Sequence, residues 1–187
     1  FVKIAMDLSE EYDTPFLLKM CTRVAHSQSV VTLGERTVKP AAPYTKDYQK
    51  NVMLPANARI RHPFVEERMQ KLAKLAETAP FNRVEMGGTK IGVITSSTSY
   101  QYTKEVFGDS VSILKLGMAY PMPVDLIKNF AAKVEKVYVV EELDPFIEDH
   151  CRQIGVEVIG KDVFPMLGEF SQNMVAELMG KEIPETL

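Results

Sequence analysis

The sequence predicts an α/β fold: a doubly wound, mainly parallel sheet, preceded by the end of a second α/β domain and a linker. Within residues 90–170 lie four short apolar runs, KIGVIT, SILKLG, KVYVVEE and VEVIG, each followed by a helix-like segment. Their spacing of about twenty residues is what a βαβ crossover needs, because parallel neighbours cannot be joined by a tight turn. Between the runs the apolar residues recur at helical intervals, which supplies the layers that cover such a sheet.

Taken in order, the chain opens inside an amphipathic helix with Phe1, Ile4, Ala5, Leu8 and Tyr12 along one face. Asp13 and Pro15 mark a turn, and PFLLKMC reads as a buried strand ending near Thr22 and Arg23. From about Gly34 to Arg61, Pro40, Pro43 and Pro55 interrupt a polar stretch with little periodicity, which reads as a linker over surface. Val65, Met69, Leu72, Ala73 and Ala76 then predict a helix over 63–77, with Pro63 in its first turn.

The second unit starts near 84–90, where Gly87 and Gly88 give a flexible approach to KIGVIT. Ser97 or Thr98 is the expected cap of the next helix, whose Tyr102, Val106 and Phe107 face the sheet until Gly108 stops it. After SILKLG, Pro121 and Pro123 fix the start of a helix with a stripe of Val124, Ile127, Phe130, Ala131 and Val134. Asp144 is the expected N-cap of a helix that opens at Pro145 and carries Phe146, Ile147, Cys151 and Ile154. A last helix places Phe170, Met174, Val175 and Leu178 on one side.

Composition narrows the function. A chain of 187 residues buries roughly 70 per cent of its unfolded surface, enough for one domain and part of another. Twenty-two basic residues against 25 acidic ones give a formal charge of -3, so no global attraction to phosphate backbones supports nucleic-acid binding. No apolar run approaches the roughly 20 residues needed to span a bilayer, so no membrane segment is predicted. Cys21 and Cys151 lie far apart without CxxC or Cys/His spacing, which argues against a metal knuckle or a disulfide framework and suits a cytoplasmic setting. The start at Phe1, with neither an initiating methionine nor a signal-peptide pattern, reads as a segment of a longer polypeptide.

Three local features have a chemical reading beside a structural one. The hydroxyl run Thr95, Ser96, Ser97, Thr98 and Ser99 sits where a strand ends and a helix begins, a position at which backbone N–H groups hold anions. It lacks the glycines of phosphate-binding loops, so capping is the favoured role. Glu141 and Glu142 close the third strand, but adjacent strand residues point to opposite faces, which disfavours a catalytic dyad and favours a domain contact. Arg23 and His26 in TRVAHSQS suit clamping and titrating beside a 2-oxo acid carboxylate; satisfying local carbonyls is the favoured alternative. His62 and His150 read as surface or helix-end residues. Gly108-Asp109, with Asn129 further on, imitates a diphosphate-binding motif but lies between a helix and a strand, and reads as a turn.

The phrases TRVAHSQSVVTLGER, KNVMLPANARIRH, GVITSSTSYQYTKEV, ILKLGMAYPMP, VYVVEELDPFIED and GKDVFPMLGE occur in this order. Together they resemble the middle of the alpha subunit in the indolepyruvate ferredoxin oxidoreductase family, thiamine diphosphate-dependent 2-oxoacid:ferredoxin oxidoreductases, across nearly all of the chain. Ser97 and Thr98 stand where that family's pattern has a glycine followed by an aliphatic residue. The resemblance implies that residues 1–35 are the end of a pyrimidine-binding-type domain, 36–83 a linker and helix, and 84–187 a transketolase C-terminal-like domain.

It implies further that a parent enzyme oxidatively decarboxylates arylpyruvates, with coenzyme A as acyl acceptor and ferredoxin as electron acceptor. That enzyme would use thiamine diphosphate, Mg2+ and iron-sulfur clusters, with a beta subunit and the remaining domains of the parent chain as partners. No catalytic, cofactor or metal residue is expected in this segment, which is left a scaffolding role and no activity alone. Arg23, His26, Ser96, Ser97 and Glu142 are the candidates for positions near a substrate or an interface. The alternative from another class is a free-standing small-molecule or regulatory module using the 95–99 loop and the Glu142 end of the sheet as its crevice; a third reading is an oligomerisation domain.

Overall fold

Apolar residues on alternating sides of neighbouring strands need a layer on each face, and the computed structural model of the chain shows how these are supplied. It describes residues 1–38, 40–41 and 43–182, so 183–187, the end of the third expected stretch, lie outside the described residues. The chain divides into two units, Phe1–Arg68 and a second that begins at Met69.

In the first unit, helix α1 covers Val2–Tyr12 and ends where Asp13 adopts a left-handed φ of 48°. Asp13 then receives Lys50 Nζ at 2.6 Å and faces Arg61 and Arg68 at 3.6 and 3.9 Å, which holds its carboxyl below the usual range, chiefly through the Lys50 hydrogen bond. PFLLKMC is not a strand. It runs extended without a ladder, with Leu17 94% and Met20 67% exposed, because a strand forms only where a neighbour takes its hydrogen bonds. Arg23 and His26 therefore follow no strand; they sit in a short helix, α2 (Thr22–His26).

The polar stretch after Gly34 is broken by α3 (Tyr48–Asn51), whose N-cap Asp47 accepts from the Lys50 N–H. The long helix α4 spans Pro55–Thr78. It begins eight residues before the expected start, so Pro63 lies inside it and not in its first turn. Pro55 takes the first position, where a missing N–H costs nothing. Among the described residues of Phe1–Arg68 none is buried.

The second unit holds the core. Its sheet, four-stranded among the described residues, has the order β1-β3-β2-β4: β1 (Arg83–Glu85), β2 (Ile91–Ser96), β3 (Ser112–Leu116) and β4 (Lys136–Val140). β2 pairs in parallel with both β3 and β4, and β1 adds an antiparallel edge. The sequence reading had no β1, which at three residues is too short to show a period. It also made VEVIG a full strand, whereas that run gives a single parallel bridge, Tyr138 to Ile159. The mainly parallel α/β architecture itself is as expected.

On one face Ile94, Leu114, Leu116, Val137 and Val139 meet Ile127 and Phe130 of α6 (Val124–Ala131) and Ile147 and Cys151 of α7 (Phe146–Gln153). On the other, Val93, Ile113 and Val140 meet Tyr100, Tyr102 and Phe107 of α5 (Ser97–Phe107) and Val175 of α8 (Gln172–Leu178), with Phe164 and Phe170. Gly108 stops α5 at φ 54°, which confirms the turn there.

Gly87 and Gly88 serve closeness rather than flexibility: an added Cβ would lie 2.3 Å from the Asp109 carbonyl oxygen at one and 2.2 Å from that of Ser110 at the other. Gly88 N–H donates to the Asp109 carbonyl, and the Ser112 hydroxyl links the Gly87 N–H to the Gly88 carbonyl.

The start of α6 is capped from far away. Glu77 of α4 accepts from the backbone N–H of Asp125 at 3.0 Å and of Leu126 at 2.7 Å. A carboxylate on the positive end of a helix adds a dipole term to two charge-assisted bonds. Glu77→Ala is expected to cost about 1–2 kcal/mol with Glu77→Gln intermediate, measured by chemical denaturation of the chain.

Candidate functional site

Adjacent parallel strands whose crossover helices leave to opposite faces open a crevice at their carboxyl ends. β2 and β4 are such a pair, because β2 feeds α5 on one face and β4 feeds α7 on the other. Ser96 and Ser97 end β2, and Glu141 and Glu142 follow β4, so Ser96, Ser97 and Glu142 come to the same end of the sheet. Arg23 and His26 belong to the first unit, where both are exposed.

At this strand end Thr95 is buried, and its hydroxyl donates to the Val140 carbonyl at 2.8 Å. The hydroxyl run caps differently from the expectation: Ser96, not Ser97 or Thr98, is the N-cap of α5, and no side chain accepts a capping bond there. Ser97 has φ 52° and Leu143, at the end of the β4 turn, φ 62°. Both are non-glycine residues in the left-handed region, at a cost of order 1–3 kcal/mol each. The two strained residues thus follow the carboxyl ends of the neighbouring strands β2 and β4, and Leu143 stays 56% exposed.

Asp144 does not cap α7; Pro145 is the N-cap residue and makes no side-chain bond. Glu141 replaces it, its carboxylate accepting from the N–H groups of Ile147 at 2.8 Å and Glu148 at 3.0 Å. Burial pushes the Glu141 carboxyl up, against the pull of these two N–H groups and of Lys161. Glu142 turns the other way and accepts from the Phe170 N–H at 2.9 Å. The two carboxylates diverge as expected, although both lie just past the last residue of β4, and they serve separate anchors within the unit.

Glu148, 1% exposed, accepts from the Lys161 N–H at 2.8 Å and meets Arg152 at 2.6 Å. Its carboxylate fills the space over Gly160, where an added Cβ would lie 2.2 Å from it. Lys161 Nζ donates to the Glu141 carbonyl at 2.6 Å. Sequence reading missed Glu148 and Lys161. A charged residue at a buried point of a helical stripe is the signal that would have found the first.

A second polar cluster lies on the α5 face. Glu85 accepts from Arg83 Nε and Tyr100 Oη, each at 2.8 Å, and pairs with Lys104 at 3.1 Å. Burial opposes ionisation of Glu85, but the bonds from Tyr100, Lys104 and Arg83 outweigh it and lower its pKa to about 2.

Among the described residues no group of three His, Cys, Asp or Glu side chains is placed to hold a metal ion. The Cys151 thiol is buried and pushed up to about 12, first by burial and then by Glu141 and Glu148. No described helix is long and apolar enough to cross a membrane.

No family model matches the chain. Over 98% of its length it is 35% identical to the indolepyruvate oxidoreductase subunit IorA of Archaeoglobus fulgidus and 34% identical to that of Pyrococcus horikoshii. Over 94% it is 37% identical to that of Methanothermobacter thermautotrophicus. The chain spans 31–32% of the length of these relatives. A 2-oxoglutarate:ferredoxin oxidoreductase from Magnetococcus marinus, solved with 2-oxoglutarate, coenzyme A and succinyl-CoA bound, is similar in fold. Its TM-score is 0.53 at 21% identity, over 68% of this chain and 23% of that one. The resemblance carried by the six ordered phrases is borne out by these relatives.

Two measurements test the anchors. Glu141→Ala leaves two buried N–H groups at α7 without an acceptor and is expected to lower stability by about 2–4 kcal/mol in denaturant titration, with Glu141→Gln retaining part of it. Glu85 has a folded pKa below its ordinary value of 4.5, so its contribution is present above that value and fades as pH falls toward about 2. Glu85→Gln is expected to flatten the fall in melting temperature between pH 4.5 and 2.

Proposed function

We propose that this chain is the connecting portion of an indolepyruvate, or broader arylpyruvate, ferredoxin oxidoreductase alpha subunit, and that it contributes geometry rather than reacting groups. The observation that supports this best is the similarity to IorA subunits along almost the whole chain. A first unit with no buried residue among those described fits the same reading, since its apolar side chains are left for other polypeptide to cover.

In this reading residues 1–35 complete a pyrimidine-binding-type domain, 36–83 link and extend as a helix, and 84–187 form a transketolase C-terminal-like domain. The partners are the remaining domains of the parent chain, the beta subunit, ferredoxin and coenzyme A, in the cytoplasm. Thiamine diphosphate, Mg2+ and iron-sulfur clusters supply carbanion stabilisation and one-electron acceptance to the whole enzyme. Among the described residues no three His, Cys, Asp or Glu side chains are placed to hold a metal ion, and one of the two cysteines is a buried thiol pushed up to about 12.

What the chain does is hold. β2 and β4 fix the strand-end crevice, Thr95 ties them together, and Glu141, Glu142, Glu148 and Lys161 pin the segments that leave β4. A displacement of about 1 Å at a reacting centre costs roughly a hundredfold in rate, so rigidity of this kind matters without donating a proton or a nucleophile.

Strain at Ser97 and Leu143 supports a second reading, in which the crevice itself takes a small ligand. One preparation separates the two. The purified chain, given an arylpyruvate, coenzyme A, thiamine diphosphate, Mg2+ and ferredoxin, is expected to reduce no ferredoxin; steady turnover would overturn the scaffold reading. Micromolar binding of thiamine diphosphate, coenzyme A or a nucleotide in calorimetry would favour the crevice as a free-standing site.

A further inference from the structure

A leucine in left-handed backbone is strained, and an apolar side chain left in water contributes little to folding, yet Leu143 combines both, at φ 62° and more than half exposed. Its neighbours hold it there. Glu141 and Glu142 before it are anchored to α7 and to Phe170, and after it the Phe146 N–H donates to the Asp144 carbonyl as α7 opens. Phe146 is itself 54% exposed. A second apolar tip comes to the same place, because the loop between Lys161 and Phe170 is tied to the end of β4 at both of its ends. Lys161 Nζ donates to the Glu141 carbonyl, and the Phe170 N–H to the Glu142 carboxylate. Buried Phe164 and Phe170, with ring centroids 6.0 Å apart, root this loop in the core. Gly168 turns it at φ 90°, and Met166 and Leu167 stay outside, Leu167 at 84% exposed.

The charge left over beside these side chains is negative. Asp144 and Asp149 are exposed, and among the described residues neither carboxylate enters an ion pair. The cations nearby are already engaged: Arg152 meets Glu148 and Asp162, and Lys161 Nζ is held by the Glu141 carbonyl. Burial lowers the pKa of Lys161, against the opposing pull of Glu141, Glu148, Asp144 and Glu142. The backbone is engaged as well, since the N–H groups of Ile147, Glu148, Lys161 and Phe170 all donate within the unit. An added strand would find no ladder there, whereas a helix, whose own backbone is satisfied, needs only side-chain contacts. We propose that Leu143, Phe146, Met166 and Leu167 form a docking surface for an amphipathic basic helix of another polypeptide. Its apolar stripe covers these side chains, and its lysines or arginines meet Asp144 and Asp149. Charge complementarity selects that partner over an acidic one. Every residue of the surface belongs to the second unit, so it does not depend on the function proposed above.

The test is fluorescence anisotropy of the whole chain with a labelled amphipathic helical peptide of about 18 residues built from leucine and lysine. The same pattern in leucine and glutamate, and a serine and lysine peptide of equal charge, are the controls. Saturable binding of the leucine and lysine peptide is expected, weakened about tenfold or more by Phe146→Ser with Leu167→Ser. Asp144→Asn with Asp149→Asn is expected to weaken it about fivefold and to remove most of its dependence on salt between about 50 and about 200 mM. Leu143→Asn separates docking from packing, because asparagine tolerates left-handed backbone. Its melting temperature is expected to rise by a few degrees while binding weakens several-fold. Absence of saturable binding, equal affinity in all variants, equal binding of the leucine and glutamate peptide, or equally tight binding of the serine and lysine peptide would overturn the proposal. So would a lowered melting temperature in Leu143→Asn with binding unchanged, which marks that leucine as a packing residue.

Discussion

Backbone N–H groups at the carboxyl end of a parallel sheet have no ladder to enter, and the way this chain satisfies them governs the rest of its second unit. Helix starts and loop turns crowd there, and each exposes donors that must find acceptors. Local caps are few: α5 and α7 have none from their N-cap side chains, and α8 takes one from Ser171. The acceptors come instead from other elements. Glu77 serves α6, Glu141 serves α7, Asn82 serves Gly117 and Met118, and Glu142 serves Phe170. Each carboxylate is thereby a cross-brace as well as a cap, so helix positions and loop positions are fixed together.

This bracing explains how buried charge is tolerated. Glu141 and Glu148 are 8% and 1% exposed, a cost that backbone N–H groups, Arg152 and Lys161 offset. Burying a carboxylate unpaired costs far more than any one hydrogen bond returns. Here each oxygen has a donor, and Gly160 is required because the Glu148 carboxylate takes the space of a side chain. The result is a braced strand end, with the two left-handed non-glycine residues of this unit, Ser97 and Leu143, just past the strands rather than in the core.

The first unit follows the opposite logic. Its helices form from local pattern and one ion-pair hub at Asp13, but its apolar side chains find no interior. The chain as a whole spans about a third of the length of the relatives it is similar to.

Periodicity alone determined much of this protein. Three parallel strands, the helices from α5 to α8 and the stop at Gly108 follow from spacing, because side-chain direction in a strand or helix is set by backbone geometry a few residues long. The order of the strands, the short edge β1, the failure of PFLLKMC to pair and the identity of the caps were decided only by tertiary structure. Glu77 lies 48 residues from the N–H it caps, Asn82 35 residues and Arg83 17 residues from the tyrosine it meets. At those separations sequence carries no period, and a hydrogen bond exists only once packing has brought its two ends together.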